Sequence, residues 1–151
     1  MFLHIKDVLT PEEITFFRQA LGPQAPWIEG ARSAGGQAIH QKNNLQLAQG
    51  SELSAQLQTM VKAALHRNAL FFSAALPRRI YNPLFNNYGD GANFYGNHVD
   101  SAVMHSKADN CWVRSDLSCT LFLTPPEDYD GGELVITETL GENASSCLRA
   151  T

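Results

Sequence analysis

The sequence predicts an α+β fold in which helices pack on a mainly antiparallel system of strands. Two segments of helical period occupy the first half of the chain, residues that alternate every second position dominate after Ala75, and dense turn signals separate the later runs. At 151 residues and 44% hydrophobic content the chain has the size of one domain and enough apolar material to bury a core.

The first element is a helix within LTPEEITFFRQALG. Thr10 is placed to cap its start, Pro11 suits the first helical position, Glu13 completes a capping box and Gly22 supplies a stop. Ile14, Phe17 and Leu21 then share one face. WIEGARSAGGQAIHQKNNLQL reads as two short strands around a Gly35-Gly36 turn. In SELSAQLQTMVKAALHRN, Ser51 caps a second helix. There Leu53, Leu57, Met60, Val61, Ala64 and Leu65 recur at three and four, and His66 and Arg67 sit near the negative end of the dipole.

Past Ala75, PRRIYNPLFNNY is expected to be extended, with a bend or edge at Pro83, because proline cannot donate to a ladder. DLSCTLFLT places Leu117, Cys119, Leu121 and Leu123 on one face of a strand, PPEDYDGG is a turn, and ELVITET is a further β-branched run. The closing LGENASSCLRAT is small, polar and without period, so residues 140–151 are expected to be poorly ordered.

Several function classes are disfavoured by composition. A net charge of −4, a pI near 5.7 and eleven scattered Lys and Arg residues give no basic stripe for nucleic acid or an anionic membrane. No apolar run approaches a membrane span, and His4, Lys6 and Asp7 interrupt any signal-peptide core. Three cysteines, Cys111, Cys119 and Cys147, without CxxC spacing argue against a disulfide framework or a zinc ribbon. They are expected to be buried free thiols in a cytoplasmic protein.

The chemistry is concentrated in FNNYGDGANFYGNHVD. On a strand, His98 and Asp100 would present an imidazole and a carboxylate to one side. With a second histidine they would make the facial set of two histidines and one carboxylate that suits iron(II). Five histidines and fifteen carboxylates give about 0.5 chance occurrences of such a pair, so the spacing alone leaves open a histidine merely hydrogen-bonded to its neighbour. His105 lies five residues after Asp100, in a stretch that reads as a loop over residues 101–113, and is a weak candidate for a third ligand. Phe94 and Tyr95 supply bulk to wall a pocket.

KNNLQL (42–47), FFSAALPRRIYNPLFNNY (71–88), HVD (98–100), RSDLSCTLFL (114–123) and YDGGELVI (129–136), in that order, resemble the PKHD-type hydroxylases. These are prolyl-hydroxylase-like Fe(II)/2-oxoglutarate-dependent dioxygenases built on a double-stranded β-helix, or jelly roll. The resemblance implies a jelly-roll core, incomplete at its C-terminal side, over residues 1–139. It implies that His98 and Asp100 are metal ligands for Fe(2+), that Tyr88 touches the 2-oxoglutarate cosubstrate, and that ascorbate keeps iron reduced. Arg114 would face substrate or brace Asp116, and the substrate would be a protein side chain or a small molecule. The family pattern also requires a distal histidine and a basic residue beyond GGELVI, and the chain stops before either. A truncated and impaired hydroxylase is therefore expected. The alternative is a non-catalytic interaction module, or a defunct fragment of that family, that self-associates through unpaired sheet edges.

Overall fold

A computed structural model of the chain describes residues 3–33, 42–89, 94–106 and 110–136. By its contacts the chain divides into two compact units, Met1–Cys119 and Thr120–Thr151. The expected tail at 140–151 lies outside the described residues.

The first unit opens with α1 (Pro11–Ala20), begun by the capping box read from the sequence: Glu13 N–H donates to Thr10 Oγ1 and Thr10 N–H to the Glu13 carboxylate. Phe17 faces inward and is fully buried, and its ring lies 6.1 Å from that of Phe85. The second helix, α2 (Glu52–Arg67), starts at Ser51, whose hydroxyl accepts from Ser54 N–H, and buries Leu57, Val61, Ala64 and Leu65. With Leu9 and Leu47 these side chains make up most of the core. The fork of Arg67 reaches both carboxylate oxygens of Glu13, so one acid closes a helix cap and ties the end of α2 to the start of α1.

A further helix, α3 (Ala69–Ala75), was not foreseen. Asn68 ends α2 and caps α3 through its own side chain, accepting from Phe71 N–H, and Leu76 closes α3 in the left-handed region at φ 42°. The apolar run LFFSAAL has no helical stripe to bury: Leu70, Phe72 and Leu76 are all exposed.

The strands form three antiparallel groups. The first joins β1 (Trp27–Glu29), β3 (Leu45–Leu47) and β4 (Asn86–Asn87) in the order β1-β3-β4. The second pairs β2 (Lys42–Asn43) with β5 (Phe94–Tyr95), Lys42 opposite Tyr95. The third is the hairpin β6 (Val103–Ser106) and β7 (Cys111–Arg114), Val103 opposite Arg114. Where two strands were expected in 27–47 the described residues form three, β1 pairing with β3 and β2 with β5, and the Gly35-Gly36 turn lies outside the described residues. Asn44, between β2 and β3, comes so close to Gly30 that a Cβ there would sit 1.8 Å from Asn44 Oδ1. Only glycine permits that approach.

Three expectations are corrected. Residues 101–113 are a hairpin and not a loop, apart from 107–109, which are outside the described residues. PRRIYNPLFNNY is strand only at Asn86–Asn87, and 115–123 carries no ladder despite its alternation. Alternation specifies a face, but a strand also needs a neighbour's backbone groups. Among the described residues the helices and three small antiparallel strand groups make up a mixed α+β fold. In the second unit, PPEDYDGG is the turn its composition demands, with a 3-10 turn at Pro126–Asp128 and positive φ at Gly131 and Gly132.

Candidate functional site

The β2–β5 pair delivers the chain to the segment 96–100. Tyr95 is anchored in the ladder, and the backbone then turns irregularly through Gly96 and Asn97, so His98 and Asp100 are not strand neighbours as expected. The turn nevertheless brings them together. His98 Nε2 lies 3.4 Å from Asp100 Oδ1, while Val99 between them is 95% exposed.

The other ring nitrogen, Nδ1, lies 2.7 Å from the Gly96 carbonyl. A carbonyl can only accept, so Nδ1 carries a proton, and in the neutral ring Nε2 keeps its lone pair facing a carboxylate oxygen. Two acceptors at that separation need a proton or a cation between them. One alternative is an imidazolium–carboxylate pair; the other is a metal ion. A carbonyl on the far nitrogen is the arrangement that usually orients a metal-binding histidine, so the donor set fits two ligands of a divalent metal.

His105 does not join them. Its ring packs on Trp112 across the hairpin at 4.9 Å, and among the described residues no group of three or more His, Cys, Asp or Glu side chains could hold a metal ion.

One aromatic ring packs directly on the pair. The Tyr95 ring is stacked on His98, with centroids 3.7 Å apart and planes 17° from parallel. Burial, and then the Asp100 carboxylate, push the Tyr95 phenol up; burial, and then Tyr95, do the same for Tyr88, which directly follows β4. Both hydroxyls stay protonated near neutral pH and can donate.

Lys42 is the residue that sequence reasoning missed. It lies in KNNLQL yet is only 9% exposed, and its ammonium sits 5.1 Å from the centre of the Tyr95 ring. Burial pulls its pKa down. A lone lysine in a short strand gives no sign in sequence that tertiary packing will bury it. With Glu29, Asn43, Asn44, Asn87 and Gly89 it lines a cleft of about 400 Å³.

Arg114 projects from the outer face of the β6–β7 hairpin, where its Nε lies 2.8 Å from Asp116 Oδ1 in an exposed ion pair. Val103, His105 and Trp112 share that face by the two-residue period, and Trp112 is 71% exposed. Behind the hairpin a second cleft of about 420 Å³ is lined by Arg79, Tyr81, Ser106, Cys111 and Val113. The thiols are not buried as expected: Cys111 is half-buried and accepts from Arg79, Cys119 is exposed, and Cys147 lies outside the described residues. Among the described residues no helix is long and apolar enough to cross a membrane.

Known proteins place these features in context. The chain is 52% identical over 141 residues to a PKHD-type hydroxylase of Variovorax paradoxus, covering 93% of this chain and 61% of that protein. It is 48% identical over 141 residues to one of Aliarcobacter butzleri, covering 93% and 62%. To the PKHD-type hydroxylase YbiX of Escherichia coli it is 48% identical over 143 residues, covering 95% and 62%. No family model matches the chain. These proteins, all named as hydroxylases, match about nine-tenths of the chain at near-half identity. The chain belongs to the PKHD-type hydroxylase family, and it spans about three-fifths of the length of these curated relatives.

Proposed function

We propose that this chain carries the metal-binding part of an Fe(II)/2-oxoglutarate-dependent dioxygenase whose full core is a double-stranded β-helix. The observation that carries the reading is the His98–Asp100 pair: Nε2 and a carboxylate oxygen face each other at 3.4 Å while Nδ1 lies 2.7 Å from the Gly96 carbonyl. His98 and Asp100 would hold Fe(2+), and the protonated phenol of Tyr88 would donate to a carboxylate of 2-oxoglutarate. Iron and cosubstrate together supply the oxidation, in which dioxygen is consumed, 2-oxoglutarate becomes succinate and carbon dioxide, and a substrate C–H bond becomes C–OH. The chain's own part is to bind and orient. Ascorbate would keep the iron ferrous between turnovers. The substrate would be a protein side chain or a small molecule, a choice that Phe94, Tyr95 and the β6–β7 hairpin would shape.

With two ligands converging among the described residues, iron and cosubstrate are expected to bind weakly. An anaerobic titration of the chain with Fe(II) and 2-oxoglutarate tests this, read by the iron-to-cosubstrate charge-transfer absorption. A saturable band lost in His98→Ala supports the site; a folded protein without a band refutes it for this chain.

A second reading, a non-catalytic interaction module, is favoured by two apolar side chains left exposed on the outer face of the hairpin, Trp112 at 71% and Val103 at 52%. It calls for concentration-dependent association in sedimentation experiments, weakened by Trp112→Ser, together with no charge-transfer band.

A further inference from the structure

We infer that Tyr95, steadied by Lys42, is the positioning residue that sets the plane of the His98 imidazole. The inference rests on the reading of His98 as a metal ligand and goes beyond it by naming what makes that ligand ready.

A histidine in an irregular, solvent-facing segment has two free side-chain torsions, and the Nδ1 contact to Gly96 fixes the ring at one point only. The second constraint is the Tyr95 face. At 3.7 Å and 17° the two rings lie flat on each other, which fixes the plane of the imidazole and hence the direction of the Nε2 lone pair toward Asp100. Core packing does not account for the stack, because Tyr95 is 36% exposed and its neighbour Phe94 is 53% exposed.

Tyr95 is in turn held where a loop residue would not be. It occupies a ladder position opposite Lys42, and the Lys42 ammonium at 5.1 Å lies within the range of a cation–π contact. Lys42 itself is buried and cannot swing away as a surface lysine would. A ladder, a cation, a phenol ring and an imidazole thus form one continuous stack ending at the ligand atom.

The test uses the full metal-free chain. NMR should show the His98 ring protons displaced upfield by the Tyr95 ring current, and long-range nitrogen couplings should show the proton on Nδ1. Tyr95→Phe, which keeps the ring, should preserve both signatures and hold Co(II) affinity within about twofold. Tyr95→Leu should abolish the upfield shift and weaken Co(II) binding about 10-fold or more, the usual loss when a group orienting a ligand is removed. Lys42→Met should cost about 2–5-fold.

His98 protons at undisplaced positions in the wild type, or unchanged shifts and affinity in Tyr95→Leu, would overturn the inference. The wild-type shifts decide the matter even where Tyr95→Leu does not fold. His98→Ala separates the two levels: if it leaves Co(II) binding intact, the metal reading fails, while the ring-current result still judges the stack.

Discussion

Replacing Asn86 with alanine tests how the β3–β4 pairing that leads to Tyr88 is held. Asn86 Oδ1 accepts from Asn44 Nδ2 at 3.0 Å and from Gln46 Nε2 at 3.1 Å. Asn44 and Gln46 are only 6% and 1% exposed, so Asn86→Ala leaves two buried amide donors without that acceptor. An orphaned buried donor costs about 1–3 kcal/mol, which sets an upper bound near 6 kcal/mol for two. Asn86 itself is exposed, however, and water entering the vacated space restores part of the loss. The expected cost is therefore about 2 kcal/mol.

Asn86→Asp keeps an acceptor of the same shape and should cost less than about 0.5 kcal/mol, since a charged acceptor strengthens both bonds. Urea unfolding followed by circular dichroism measures the difference. With m between about 1 and 3 kcal/mol/M, the alanine variant should lower the midpoint by roughly 1 M without altering m. Equal losses in the two variants, or an alanine variant within about 0.5 kcal/mol of wild type, would refute the reasoning.

Other perturbations probe the frame around the site. Phe17→Ala, at a fully buried position against Phe85, should cost about 3–5 kcal/mol in thermal unfolding, while Phe17→Leu should cost less than about 1.5. Glu13 is held below its ordinary pKa of 4.5, first by the Arg67 guanidinium and then by Thr10 N–H. Its stabilisation is therefore present above pH 4.5 and lost as pH falls through the lower folded value, and acid titrations of wild type and Glu13→Gln should converge below it. In the second unit Gly131 and Gly132 both have positive φ, but only at Gly132 would a Cβ press on Tyr129, at 2.9 Å. Gly131→Ala should cost about 1–2 kcal/mol and Gly132→Ala measurably more, read as the difference between their urea midpoints.

Much of the helical frame was legible because its signals are local. Thr10, Pro11 and Glu13 announce α1 within four residues, and Ser51 with the stripe from Leu53 to Leu65 announces α2. The third helix was hidden because its cap, Asn68, also ends α2, and because ALFFSAA has no polar face to give it a period. The segment 115–123 shows the opposite failure, a clear two-residue period without a partner among the described residues. At the site, spacing and family resemblance both bear on HVD, while Tyr88 is marked by the resemblance alone.

By itself the sequence determined the helix starts, the turn at PPEDYDGG, the family and the singling out of His98 and Asp100 as a pair. All of these depend on residues within a few positions of one another, or on matching order along the chain. Only the tertiary structure decided that Glu13 of the first cap would receive Arg67, that Lys42 would be buried opposite Tyr95, and that an irregular turn rather than a strand would bring His98 to Asp100. Each of those depends on contacts across tens of residues or on backbone torsions that a repeating pattern does not encode. The energies that select them come from packing and desolvation in three dimensions, which no local window contains.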